Sequence, residues 1–217
     1  MKKHLPFQKK CNTRVYTIKA RRKLPRYVTF ILAFFFNVCF ITPNVFAQTT
    51  YTWNGVTSAW DSPINWLPNI GSPGESDNVI INGGGISQPI LNAALNINNL
   101  TVSDGTLDLN TFTLTLSGTP TFSGGNVNNG TLSIVSGGTC TFGSTTFGAS
   151  ISGSAVSVLF NGAIFNNTFT FDKTGAANDN GSGNTTFNGT TTISNSGPGY
   201  LLLANITSDI FNTDITF

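Results

Sequence analysis

The chain has 217 residues, with 11 Lys or Arg, nine Asp or Glu and one His, a formal net charge of +2. That average hides two unlike segments: ten of the 11 cations lie within residues 1–26, and from Gln48 onward Lys173 is the single cation against nine carboxylates, a formal charge of −8. One cation cannot neutralise a phosphate backbone or hold an anionic lipid surface, which excludes nucleic-acid binding and electrostatic membrane attachment for the part after Gln48.

The first element in chain order is a leader. A basic stretch runs to Arg26, and an apolar run follows, Val28-Thr29-Phe30-Ile31-Leu32-Ala33-Phe34-Phe35-Phe36. Pro43 ends it, and Val45-Phe46-Ala47 offers small residues at the two positions a signal peptidase reads. Residues 1–47 therefore read as a signal peptide cleaved after Ala47. Asn37 interrupts the apolar core, which is shorter than the roughly 20 residues a spanning helix needs. The expected product is secreted or displayed at the cell surface, with no membrane insertion after cleavage. Lys23-Leu24-Pro25 is a poor continuation of a twin-arginine signal at Arg21-Arg22, and Phe36-Asn37-Val38 lacks the small residues that precede a lipidated Cys39. Cys140 alone remains after cleavage, so no intrachain disulfide is available, and it is expected to pack as a small apolar residue.

Residues 48–82 are rich in Trp and Pro and read as an N-terminal capping module; residues 83–217 read as short strands broken by Gly, Asn and Ser. Helix formers are nearly absent, whereas Thr111-Phe112-Thr113-Leu114-Thr115-Leu116, Thr139-Cys140-Thr141-Phe142 and Thr168-Phe169-Thr170-Phe171 alternate with a period of two. Turn residues such as Ser123-Gly124-Gly125-Asn126 and Asn128-Asn129-Gly130 end the runs. The segment from Lys173 to Gly183 reads as a looser insert.

An imperfect repeat decides the architecture. Gly118-Thr119-Pro120-Thr121-Phe122 returns as Gly138-Thr139-Cys140-Thr141-Phe142, and Gly105-Thr106-Leu107 returns as Gly130-Thr131-Leu132. Phe165-Asn166 returns as Phe187-Asn188 and again as Phe211-Asn212, steps of 22 and 24 residues. A period in the low twenties fits one lap of a right-handed parallel β-helix, an all-β solenoid with inward Phe, Leu, Ile and Val and outward Thr, Ser and Asn. The competing β-sandwich gives short strands but no reason for that echo. Phe217 falls on a strand pattern with no polar cap, so the coils are expected to be incomplete at the C-terminus, a fragment of a longer protein.

Tyr51-Thr52-Trp53-Asn54-Gly55, Trp60-Asp61, Asn65-Trp66, Pro68, Gly71, Pro73-Gly74 and Asp77-Asn78-Val79-Ile80-Ile81 together resemble the opening module of large secreted repeat proteins of Bacteroidota and some other bacteria. In that group the module leads into a parallel β-helix of autotransporter-adhesin type. The stretch from Phe187-Asn188-Gly189-Thr190 to Tyr200-Leu201-Leu202-Leu203-Ala204 is similar to repeats of the same proteins. The resemblance implies surface display or adhesion, often with a C-terminal sorting domain for the type IX pathway, which this sequence does not contain.

The residues offer little for catalysis. His4, the sole His, lies in the leader, so residues 48–217 hold no Ser-His-Asp or Cys-His pair and no His metal ligand. One Lys is a poor basis for a lyase-type β-helix site, and Asp104 and Asp108 flank a turn, where solvated Asp is common. A glycosidase would need paired carboxylates facing one groove. Asp172 and Asp179, with Asn178 and Asn180, do not match a calcium loop. No catalytic, cofactor or metal site is expected. Trp53, Trp60 and Trp66, with Tyr51, are the candidates for stacking on sugar rings, weighed against plugging the N-terminal end of the apolar column. Thr rows such as Thr111/Thr113/Thr115 resemble the arrays of ice-binding solenoids, but irregular coils make a plainly solvated face the expectation. The reading is a non-enzymatic, adhesin-like surface stalk with surface glycans or a host or neighbour-cell surface as partner. The alternatives are a carbohydrate-binding module using the cap, or a fragment of a polysaccharide-degrading β-helix enzyme.

Overall fold

The structure, a computed structural model, describes residues 47–217. The signal peptide expected over residues 1–47 lies outside the described residues except for Ala47.

Parallel coils stack into a β-solenoid of about seven turns. Three ladders run along it. The first joins Leu95–Ile97, Thr113–Leu116, the start of Thr131–Phe142, the start of Ser150–Phe160, Phe169–Lys173, Thr191–Asn195 and Ile215–Thr216. The second runs from Thr50–Trp53 through Asn78–Asn82, Asn99–Asp104 and Thr121–Phe122 into the far ends of the two long strands. These long strands turn the corner between two ladders without a break, which makes the two one 12-stranded sheet. The third ladder is a six-stranded sheet, Thr106–Asp108, Asn126–Asn128, Thr146–Phe147, Ile164–Phe165, Thr186–Phe187 and Ile210–Phe211.

The coil length follows from the third ladder: 20 residues from Thr106 to Asn126 and from there to Thr146, 18 to Ile164, 22 to Thr186 and 24 to Ile210. The period drifts because corners absorb extra residues while paired positions stay in step. The echoes at Thr121/Thr141, Phe165/Phe187 and Phe187/Phe211 are true register partners. The echo of Gly105-Thr106-Leu107 in Gly130-Thr131-Leu132 is not: Leu107 pairs with Val127, and Leu132 pairs with Leu114. The two copies lie on different ladders, and their likeness reflects a shared turn-then-strand composition.

The segment expected to be a loose insert is also part of the stack. Lys173 closes the strand Phe169–Lys173, and Asp179–Asn180 pairs in parallel with Leu201–Leu202. The Gly and Asn content that suggested looseness serves tight corners in which backbone passes over backbone: a Cβ at Gly175 would meet the Val156 backbone, and one at Gly197 the backbone of Thr174 and Gly175.

Alternation sets what lies inside. Along Thr131–Phe142, Leu132, Ile134, Cys140 and Phe142 are buried, while Thr131, Ser133 and Thr141 face out. In-register pairing then stacks like on like. Phe122, Phe142 and Phe160 form one file with ring centroids 5.7 Å apart at each step. Phe147, Phe165, Phe187 and Phe211 form a second, at 5.0, 5.0 and 4.7 Å. Phe142 joins the files through edge contacts to Phe147, Phe165, Phe169 and Phe171. At Gly153 (φ +148) a Cβ would collide with the Ile134 backbone, so this coil closes on its neighbour only through glycine.

Replacing Phe142 by Ala is expected to cost about 3–5 kcal/mol, the scale for deleting a buried Phe. Urea unfolding followed by circular dichroism checks this. Phe217, three-quarters exposed, should tolerate the same change with a shift within about 0.5 kcal/mol.

Candidate functional site

The first turn is built around the aromatic residues singled out above. Thr50–Trp53 pairs in parallel with Asn78–Asn82 on one side and antiparallel with Trp66–Leu67 on the other, so the ladder already begins inside the Trp-rich module. Antiparallel Trp66–Leu67 occupies the outer edge of that sheet, where a further parallel coil would otherwise add. The 3-10 turn Pro63–Asn65 delivers it. Asn65, fully buried, spends its amide inside this turn: Oδ1 accepts from the Thr57 N–H at 2.7 Å, and Nδ2 donates to Thr57 Oγ1 at 2.8 Å and to the Ala59 carbonyl at 2.7 Å.

Trp53, Trp60 and Trp66 are 1, 3 and 0% exposed and Tyr51 is 6% exposed. Trp66 is the hub, meeting Trp53 at 4.8 Å, Trp60 at 4.7 Å and Tyr51 at 6.2 Å, all edge to face. Trp53 Nε1 donates to the Ser87 carbonyl and Trp66 Nε1 to the Trp60 carbonyl, both at 2.7 Å. Trp60 Nε1 is buried with no hydrogen-bond partner among the described residues. Stacking on a sugar needs an open aromatic face, and these rings turn their faces to one another. Trp60 and Tyr51 each reach the wall of a small hollow: one of about 240 Å³ with Asp61, Ser72, Pro73 and Asn92, and one of about 420 Å³ with Ala47, Gly74 and Glu75.

The second constellation is one that reading by segment missed. Lys173, the only cation among the described residues, is 0% exposed, and Asp179 is 1% exposed. Lys173 Nζ donates to the Gly175 carbonyl at 2.6 Å and the Gly199 carbonyl at 3.4 Å, and lies 4.0 Å from Asp179 Oδ2. Asp179 in turn accepts from Ser157 Oγ at 2.6 Å and from the Val158 N–H at 2.7 Å. The pair thus ties three successive coils, through Ser157, Asp179 and Gly199. A signal was present in the sequence: in Phe169-Thr170-Phe171-Asp172-Lys173 the period of two that points Phe169 and Phe171 inward also points Lys173 inward.

Several other carboxylates are spent on turns. Asp104 accepts from the Gly105 N–H, and Asp108 from the Asn110 N–H and Asn129 Nδ2. Asp172 accepts from the hydroxyls of Ser194 and Ser196 and the Ser196 N–H. The Ser196 hydroxyl holds its carboxyl below the usual range, partial burial opposes this, and Ser194 and the Ser196 N–H assist. Among the described residues no three His, Cys, Asp or Glu side chains gather as a metal site, and no helix is long and apolar enough to cross a membrane. Cys140 packs in the core, where burial pushes its thiol well above the usual range.

With this geometry in hand, comparison with known proteins adds no relative: no family model, curated protein or solved structure matches the chain.

Two outcomes follow. Asp179→Ala leaves a buried ammonium without its counter-charge and is expected to lower stability by about 3–5 kcal/mol, whereas the double change Lys173→Met with Asp179→Leu should recover most of the loss; thermal melts of both variants decide this. For Asp172, a depressed carboxyl stabilises the fold above its unfolded value and loses that contribution as pH falls through the folded value. Ser196→Ala should move the Asp172 titration upward in an NMR pH series.

Proposed function

We propose that this is a non-enzymatic, exported cell-surface protein whose β-solenoid serves as an adhesin-like stalk or scaffold directed at a host or neighbouring-cell surface. The observation that carries the reading is where the chemically versatile side chains go. The single amine, the single thiol and all three indoles of residues 47–217 lie in the interior, committed to packing and to holding coils together. Thr, Ser and Asn recur across the outer surface, with scattered carboxylates and single exposed apolar side chains such as Ile86 and Ile206. A rod of this kind keeps its shape without disulfide or metal, because each added coil contributes another layer of the same apolar file.

The basic-then-apolar leader supports export, and the negative charge of the part after Gln48 keeps a displayed rod soluble beside anionic surfaces. The two hollows whose walls Trp60 and Tyr51 reach are where a carbohydrate-binding role would have to act. Breakdown of a pectin-like glycan by the purified protein would favour the enzyme-fragment alternative.

The test is the fate of the chain in a Gram-negative host. The expected product starts at Gln48 by intact mass, is absent from the cytosol, and is lost from whole cells on external protease treatment. A cytosolic product that keeps Met1 and the basic leader would overturn the export reading. On a glycan array, saturable binding that Trp60→Ala abolishes in a protein of unchanged melting temperature would move the function to the carbohydrate-binding alternative.

A further inference from the structure

The first ladder presents a regular outer surface. Its registers place Thr115, Ser133, Ser152, Thr170 and Thr192 side by side on five successive coils. Two residues earlier on the same coils stand Thr113, Thr131, Ser150, Thr168 and Thr190. Thr113 pairs with Thr131 and Thr131 with Ser150, and the next two are brought alongside by the bonds Ile151 N–H to the Thr168 carbonyl and Phe169 N–H to the Thr190 carbonyl. Every coil thus repeats hydroxyl–inward residue–hydroxyl, with no slip of register across the five. Thr111, which by sequence belonged to the same row, has φ +70 and lies in the turn outside it.

We propose that these two files form an ice-binding face. Spacing supports it first: hydroxyls recur at the inter-strand distance of roughly 4.8 Å along each file, and the files lie about 6.6 Å apart, two residues along a strand. Water oxygens in hexagonal ice repeat at similar intervals in two directions, so an array matches the lattice where a lone hydroxyl cannot. The chemistry agrees. All ten side chains are half-buried or exposed. Their hydroxyls take no protein hydrogen bond among the described residues, in contrast to neighbouring Thr191 Oγ1 and Ser194 Oγ, which do. Each Thr offers water one hydroxyl to anchor it and one methyl to order it. Over these five coils the files carry no charge: Asp214 continues one file on the next coil, Asp172 lies beside the other, and the only cation among the described residues is buried. Ice is favoured over a crystalline polysaccharide because no aromatic ring stands in either file to stack on sugars.

The experiment uses the purified protein and ice itself as the probe, reading crystal shaping, the gap between melting and freezing points, and inhibition of recrystallisation. The wild-type protein should show all three. Thr170→Tyr, which breaks the middle of one file, should lose them while its melting temperature is kept, and Thr186→Tyr on the third ladder should retain them. If Thr170→Tyr does not fold, Thr192→Tyr on the next coil gives the same reading. A wild-type protein that leaves ice unshaped overturns the proposal, as does equal loss in Thr186→Tyr. Retention on microcrystalline cellulose or chitin without ice shaping would also overturn it, assigning the face to a polysaccharide.

Discussion

A coil of this protein cannot satisfy its own backbone. Its N–H and C=O groups point along the solenoid axis and are met only when another coil lies above and below in register. Once that condition holds, every position on one coil sits over the equivalent position on the last, and side chains sort into files. The two Phe files, the Asn188-to-Asn166 and Asn212-to-Asn188 hydrogen bonds at 2.7 and 2.6 Å, and the hydroxyl files are three products of the same backbone registration. Corners are free of it, which is why the step varies between 18 and 24 residues along one sheet without breaking a single file.

The same condition creates a problem at the first coil, beneath which no parallel coil lies among the described residues. Two devices meet it. The antiparallel strand Trp66–Leu67 takes up the open edge of the first strand, and three indoles and a Tyr close the apolar column with large, mutually packed rings. Asn65 holds the turn that delivers the strand by using both its amide groups. The Trp, Asn and Gly motif is therefore intelligible as end-closure chemistry.

Lys173 and Asp179 depart from the apolar rule and are tolerated for an electrostatic reason. A charge taken from water is costly unless countered and hydrogen-bonded. Here the ammonium meets two carbonyls and a carboxylate, and the carboxylate meets a hydroxyl and an N–H. Such a pair has few acceptable geometries, so it discriminates against a slipped register, which Phe on Phe alone would resist less. A solenoid registered this way also keeps an outer array of hydroxyls in step from coil to coil. The scaffold and ice-face readings thus draw on one property.

Much was legible from sequence. Period-two alternation, the shortage of helix formers and the Phe-Asn echoes pointed to parallel coils because those signals depend only on which side of a strand a residue occupies and how often the chain returns. The in-register Phe165, Phe187 and Phe211 bear that out. The Gly105/Gly130 likeness misled because composition cannot say which ladder a strand joins. The Lys173–Gly183 stretch looked loose because Gly and Asn serve mobile loops and tight corners alike. Only the tertiary structure joined Lys173 to Asp179 and aligned five hydroxyl pairs from different coils. Both depend on exact stacking between laps, and a variable corner hides that distance from anyone counting along the chain.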